Sequence, residues 1–284
     1  LYYIYLALTV LETVLLLCGG MPLFDSIVHA LGTAGTGGFG IKADSIASYS
    51  HFCQWVITVF MLLFGVSFNM YYLLLIKRWR EVLKSNELKC YLGISLAAMI
   101  IVVLSIMPLY GSIADAVRLS AFQVSSIVTT TGYATADFDA WPSLAKAVLL
   151  ILMFFGGCMG STAGGLKMSR VTVLAQIARN DLRHALRPRE VSTVILNGRR
   201  VDAQGERQIL SYFALYIAVI GAVFLLISFE PFGIETNFSA TVSCVNNIGP
   251  GFGQVGPSLS YADYSAFSKL VLSFAMLLGR LEIY

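Results

Sequence analysis

Three short clusters hold the residues whose types could do chemistry: Thr33-Ala-Gly-Thr-Gly-Gly-Phe-Gly40, Thr129-Thr-Thr-Gly-Tyr-Ala-Thr135 and Asn246-Asn-Ile-Gly-Pro-Gly-Phe-Gly253. Each joins glycine, which tolerates a positive φ, to hydroxyl or amide side chains. Such a backbone can turn carbonyl oxygens toward an axis and replace the hydration shell of a dehydrated cation. The clusters align as four-residue elements ending in glycine: Ala34-Gly35-Thr36-Gly37, Thr129-Thr130-Thr131-Gly132 and Asn246-Asn247-Ile248-Gly249. Gly37, Gly132 and Gly249 are then the central glycines of an ion filter. Turn glycines of no further purpose are the alternative at any one site, and the threefold recurrence argues against it.

A second region also breaks pattern. Gly156, Gly157, Gly160, Ser161, Thr162, Ala163, Gly164 and Gly165 interrupt an apolar run and lead to Lys167. A helix loses roughly 1 kcal/mol for each Gly in place of Ala, so this stretch should break one. A polar loop crossing the pathway below the middle cluster would be a gate. Close packing of small residues between helices is the other reading. Arg280 lies deep in the last apolar run, where an Arg costs about 2.5–3.5 kcal/mol on insertion scales and must face water or a partner. Glu282 is too near in sequence to face it on a helix, and Glu12 is a candidate partner in space.

Two nucleotide-like motifs fail on context. Gly251-Phe-Gly253-Gln-Val-Gly256 matches a dinucleotide fingerprint but has no strand before it. The run after Gly156 resembles a phosphate loop, yet Leu166 stands where the lysine is needed. The five cysteines are scattered and form no CxxC pair, and the three histidines lack ligand spacing.

The elements that must position these clusters are membrane spans. Of 284 residues, 57% are hydrophobic and only 12% charged, with a mean hydropathy of +0.76. Soluble domains carry about 25% charged residues, so a cytosolic enzyme, a disordered chain and a nucleic-acid binder are all excluded. Apolar runs fall at 1–18, 53–76, 91–107, 143–155, 209–229 and 264–284, giving six spans or part-spans. Between the members of each pair lies a shorter stretch, 22–34, 112–128 and 235–245, marginal or too short to cross a bilayer and so re-entrant. Trp55 to Gly65, Lys146 to Gly156 and Lys269 to Gly279 repeat one spacing, each glycine preceded by three apolar residues. The unit is therefore span, re-entrant helix, glycine cluster, span, written three times. The clusters sit at membrane depth, where irregular backbone survives only if buried in protein or lining water.

Charge orients the units. Lys77, Arg78, Arg80, Lys84 and Lys89 sit in one segment. Lys167, Arg170, Arg179, Arg183, Arg187, Arg189, Arg199, Arg200 and Arg207 sit in another. Both face the cytoplasm by the positive-inside rule. Asp25, Asp44, Asp115, Asp137, Asp139, Glu230, Glu235 and Asp263 fall on the opposite side, as loop solvation or as an acidic mouth that concentrates cations. Within the second basic segment, Val194-Ile-Leu-Asn-Gly-Arg-Arg-Val201 predicts a β-hairpin with a type I′ Asn-Gly turn. Such a hairpin could dock a soluble partner or serve none.

The stretches TTTGYATADFDAWP, GGCMGSTAGGLKMSR, NNIGPGFGQVGP and LLGRLEIY together resemble the Trk/Ktr/HKT superfamily of potassium transporters, nearest its bacterial TrkH/TrkG branch. The resemblance runs over essentially the whole chain. It implies an all-α membrane protein of tandem M1–P–M2 repeats in a pseudo-fourfold arrangement around one K⁺ pore, with three of four repeats, the second to fourth, in this chain. The implied divisions are 1–78 for repeat two, 79–89 for a cytoplasmic loop, 90–170 for repeat three with a broken second helix, 171–207 for a basic segment with a hairpin, and 208–284 for repeat four. The first repeat is expected outside this sequence. The resemblance also implies K⁺ as the transported ion with no covalent cofactor, residence in the bacterial cytoplasmic membrane, a homodimer, and a cytosolic TrkA-type regulatory ring that binds nucleotides and NAD. By it, Gly37, Gly132 and Gly249 are filter positions, Gly156 to Gly165 form an intramembrane gating loop with Lys167 at its inner end, and Arg280 is a pore arginine. Two rival readings are transport of Na⁺ or another monovalent cation, and an integral membrane enzyme that uses Asp137 and Asp139 to bind a metal or a lipid diphosphate.

Overall fold

A computed structural model describes residues 1–187 and 193–281; Arg189 and Glu282 lie outside the described residues. The first unit comprises α1 (Tyr2–Cys18), α2 (Leu23–Ala34) and α3 (His51–Phe64), continued by α4 (Phe68–Leu75). A short α5 (Trp79–Lys84) leads to the second unit: α6 (Asn86–Tyr110), α7 (Ile113–Val128) and α8 (Ser143–Leu152). Then come α9 (Met168–Leu186) and a two-stranded hairpin of β1 (Ile195–Leu196) and β2 (Arg199–Arg200). The third unit is α10 (Ala203–Ile227), α11 (Ile234–Val245) and α12 (Ala266–Arg280).

Local chemistry sets the helix starts. Ser50, Ser112 and Ser265 each accept a backbone N–H three residues on, from Cys53, Asp115 and Ser268, and so cap α3, α7 and α12. Asp202 caps α10 in the same way through Gly205. Pro22 and Pro142 precede α2 and α8, where a missing N–H costs nothing. Gly111, at φ 65°, ends α6 in a left-handed turn.

The burial pattern is inverted relative to a soluble protein. Long helices expose apolar side chains such as Leu104, Leu225 and Leu270. The short α7 and α11 are rich in Ser, Thr, Gln and Asn, and they are buried: Ser120, Gln123, Ser125, Ser126, Thr241 and Ser243 are all inaccessible. A polar axis wrapped in apolar helices is how a bilayer protein hides backbone and hydroxyls from lipid. Within each unit the re-entrant helix packs on its flanking helices: α2 on α1 and α3, α7 on α6 and α8, α11 on α10 and α12.

Two expectations need correction. The apolar run 53–76 is not one straight span, because α3 and α4 meet at 89° across Gly65–Ser67. Apolarity continues through the bend, so hydropathy alone could not show it. Among the described residues, α6 and α10 are long and apolar enough to cross a bilayer, with the bent α3–α4 pair a third if counted as one. The basic segment after 167 is also less loop-like than its charge implied: 19 of its residues form α9. The Asn-Gly hairpin forms as expected, with Asn197 and Gly198 both at positive φ.

Candidate ion pathway

The three clusters begin where α2, α7 and α11 stop, and they repeat one hydrogen-bond pattern. The first residue past each helix (Gly35, Thr129, Asn246) donates its N–H to the carbonyl four back, on Leu31, Ser125 and Val242, at 2.9, 3.1 and 3.0 Å. The second (Thr36, Thr130, Asn247) takes the left-handed conformation at φ 50°, 54° and 58°. Its N–H bonds the carbonyl three back, on Thr33, Ile127 and Cys244. The third (Gly37, Thr131, Ile248) reaches five back to Gly32, Ser126 and Ser243 at 2.8, 2.8 and 2.9 Å. The fourth is a glycine at φ 66°, 86° and 109°: Gly38, Gly132 and Gly249.

This pattern moves the first register by one residue. Gly38, not Gly37, is the counterpart of Gly132 and Gly249; Gly37 corresponds to Thr131 and Ile248. The sequence holds two consecutive glycines there, and the bond from Gly37 to Gly32 and the positive φ of Thr36 and Gly38 decide between them. Ala34 is the last residue of α2 and belongs to the helix.

The clusters meet around an arc. A Cβ on Gly38 would collide with the Thr131 carbonyl oxygen, and one on Gly132 with the Ile248 carbonyl oxygen. Each carbonyl thus presses on the glycine of the preceding unit. A Cβ on Gly249 would meet nothing within 4 Å, so the arc is open on that side. The C-terminal ends of all three re-entrant helices lead into the arc, and their dipoles favour a cation there. A cavity of about 230 Å³ opens on the far side of the arc, lined by Gly38, Gly132 and Gly249 with Ala134, Pro250 and Tyr261.

Hydroxyl and ring contacts brace the arc from behind. Ser126 donates to the Tyr133 carbonyl at 2.6 Å, and Ser243 accepts the Gly249 N–H at 3.0 Å. Tyr216 donates to Asn246 Oδ1 at 2.9 Å. The fully buried Tyr133 carries its hydroxyl 3.2 Å from His29 Nδ1. Around the mouth, Tyr49 donates to Asp25 at 2.7 Å, and burial raises its hydroxyl pKa. Hydrogen bonds from Ser265 and Ser268 hold the Glu230 carboxyl below the usual range. Lys146 pairs with Asp139 at 3.1 Å and Glu235 at 3.3 Å. Asp137 accepts the Asp139 N–H at 3.1 Å, so both acids of the rival enzyme reading make local structural bonds.

The loop from Met153 to Lys167 lies against the opposite side of the arc. The left-handed residues of two clusters hold it: Thr36 donates to the Thr162 carbonyl at 2.9 Å, and Thr130 accepts the Gly164 N–H at 2.6 Å. A Cβ at Gly164 would come within 2.8 Å of the Asn246 carbonyl oxygen. Arg280 Nη1 donates to the same Thr162 carbonyl at 3.1 Å, and Lys167 Nζ to the Ala163 carbonyl. Ser161 to Gly165, Lys167, Gly279 and Arg280 line a cavity of about 190 Å³. The loop is also tied to its neighbours and across its own two ends. Cys158 donates to Gly65 at 2.8 Å, Phe68 to Gly160 at 3.2 Å, Gly156 to Leu166 at 2.9 Å and Met168 to Gly157 at 3.1 Å.

The structure thus brings the three clusters together with Thr162, Ala163, Gly164 and Arg280, whereas Ala34 stays in α2 and Gly157 and Gly160 bond to Met168 and Phe68. Glu12 lies apart: it is fully buried among α1 and α2, away from Arg280, whose bond goes to Thr162. The sequence reading missed the left-handed role of Thr36, Thr130 and Asn247. It also missed Ser126 and Ser243, although these two serines recur at one register and were findable from the repeat.

Comparison with known proteins agrees with this geometry. A family model described as TrkH, cation transport protein, matches residues 1–284. The Trk system potassium uptake protein TrkG of Escherichia coli (strain K12) is 32% identical over 274 residues, covering 93% of this chain and 55% of the relative. TrkH of Salmonella typhimurium is 31% identical over 288 residues, covering 100% of this chain and 59% of the relative. The crystal structure of the potassium transporter TrkH from Vibrio parahaemolyticus superposes with a TM-score of 0.92 at 30% identity, over 100% of this chain and 61% of that one. The chain thus spans somewhat more than half the length of these relatives. The repeated span–re-entrant–span units, the shared arc and the full-length family match place it among all-α membrane transport proteins: the chain belongs to the TrkH cation transport protein family.

Proposed function

We propose that this chain forms most of the ion pathway of a potassium uptake protein in the bacterial cytoplasmic membrane, a transporter rather than an enzyme. The observation that carries the reading is the threefold pattern of left-handed residue, five-back hydrogen bond and positive-φ glycine. That backbone would present carbonyls of Gly35–Gly38, Thr129–Gly132 and Asn246–Gly249 to a dehydrated K⁺, with the re-entrant helix dipoles favouring the charge. A fourth unit from outside these 284 residues would close the arc at Gly249. Cytoplasmic basic loops and an external acidic mouth follow from the charge segregation.

The loop from Gly156 to Gly165 would then be the gate. It crosses the inner side of the arc, and Lys167 and Arg280 place two cations beside it, where they oppose passage of K⁺. The basic hairpin and the exposed end of α9 would dock a cytosolic nucleotide-binding regulatory subunit of the TrkA type on a homodimer. The deciding experiment is rubidium or potassium uptake by the full-length protein in cells lacking their own K⁺ uptake. Restored growth at low K⁺, with rubidium uptake suppressed by competing K⁺ more than by Na⁺, is the expected result. Failure to restore growth, or Na⁺ competing equally, would count against K⁺ as the substrate.

A further inference from the structure

The ion pathway makes no direct use of the β1–β2 hairpin, yet the hairpin is docked rather than free. Gln176 of α9 pairs with the Ile195 backbone, accepting its N–H at 3.0 Å and donating to its carbonyl at 2.9 Å. At the turn, Asn197 Oδ1 accepts the Ser85 hydroxyl at 2.9 Å and the Glu87 N–H at 3.4 Å. Ser85 is the N-cap of α6, and Glu87 is in its first turn. The first N–H groups of a helix have no intrahelical partner, and Asn is a preferred residue to accept one. Here that Asn is supplied from 110 residues further along the chain.

The same Glu87 holds the loop. The residue is only 2% exposed, and its Oε1 accepts the Met159 N–H at 2.5 Å. Met159 lies between Cys158, bonded to Gly65, and Gly160, bonded to Phe68. Glu87 is thus the side chain that ties this turn of the loop to α6. A hydrogen bond to a carboxylate is roughly twice as strong as a neutral one.

We infer that Glu87 is a positioning residue for the 156–165 loop, and that the hairpin governs its hold through Asn197. One residue carries both links, its N–H to the hairpin and its carboxylate to the loop. A partner that lifted the hairpin would leave the Glu87 N–H without its acceptor, Ser85 still capping Leu88, and would loosen Met159 without touching the loop. The inference rests on the loop being a gate.

The test is rubidium flux through the full-length protein in proteoliposomes. Asn197→Gly keeps the left-handed turn and removes the acceptor for the Ser85 hydroxyl and the Glu87 N–H, whereas Asn197→Asp keeps an acceptor oxygen. Glu87→Ala removes the loop bond, and Glu87→Gln keeps an acceptor. Asn197→Gly and Glu87→Ala should each raise flux about threefold to tenfold, as expected for loss of one such bond. Asn197→Asp and Glu87→Gln should stay near wild type. The Asn197→Gly/Glu87→Ala double variant should go no higher than Glu87→Ala alone, because both act along one route. Additive increases would overturn that route. Arg280→Ala separates the two levels: if it raises flux and neither of the other single variants does, the gate stands and this inference falls. If none of the three raises flux, both fall. Should Glu87→Ala not accumulate in membranes, the two exposed-turn variants decide alone, and equal flux in Asn197→Gly and Asn197→Asp overturns the inference.

Discussion

The arc and the loop beneath it are both irregular backbone at membrane depth, and they are held by opposite means. The arc is held largely by backbone bonds repeated in three units, each cluster folding back on its own helix end. The loop is held by backbone bonds to Gly65 and Phe68 and by side-chain bonds from separate elements: Thr36 to Thr162, Thr130 to Gly164, Arg280 to Thr162 and Glu87 to Met159. Local, redundant bonds make a rigid element. Scattered side-chain bonds from several helices make one that can be released piece by piece, as expected of low-stability segments that move.

The largest effect should come from breaking the arc itself. Gly132→Ala, and more so Gly132→Asp, drives a side chain into the Ile248 carbonyl at a φ of 86°. Uptake should fall to background or lose its preference for K⁺ over Na⁺ in ion-competition assays. An unchanged preference would remove Gly132 from the ion pathway. Next, Arg280→Ala removes a charge and its bond to Thr162. Flux in proteoliposomes should rise about tenfold, the order expected for a charge-assisted hydrogen bond. Equal or lower flux in folded protein would mean the loop does not obstruct.

Smaller effects sharpen the same contrast. Thr130→Val deletes the acceptor for Gly164 and should raise flux about threefold, with Thr130→Ser near wild type. The smallest effect belongs to Gly37→Ala. Gly37 has no positive φ, and the nearest group to its Cβ position is the exposed Phe39 ring at 3.3 Å. Uptake should stay within about twofold of wild type, as for most surface changes, whereas Gly38→Ala should behave like Gly132→Ala. Equal damage at both positions would restore the register centred on Gly37.

Much of this was legible because it is written locally. The threefold unit, the re-entrant helices and the Asn-Gly turn depend on composition and spacing within a few residues. The rest depends on contacts no window contains. The bend at Gly65 is silent in hydropathy because both arms are apolar. The helix α9 is hidden because its arginines report only which side of the membrane the segment faces. The Gly37–Gly38 ambiguity yields to a five-back hydrogen bond and to the sign of φ. Glu87 looks like one more charge beside a basic segment, and only its bonds to Met159 and to Asn197 from far along the chain give it a role.

The burial of α7 has a consequence for how the molecule is made. With 16 residues it is about 24 Å long, short of a bilayer's hydrocarbon core, and its serines and glutamine would meet lipid if it entered alone. It therefore has no stable place in the membrane as a separate segment. Its insertion is work done by its neighbours: α6 and α8 must offer a protein-lined slot before α7 can leave the water. Assembly from the apolar wall inward is what this burial pattern favours, with the backbone of the arc the last part to enter the membrane.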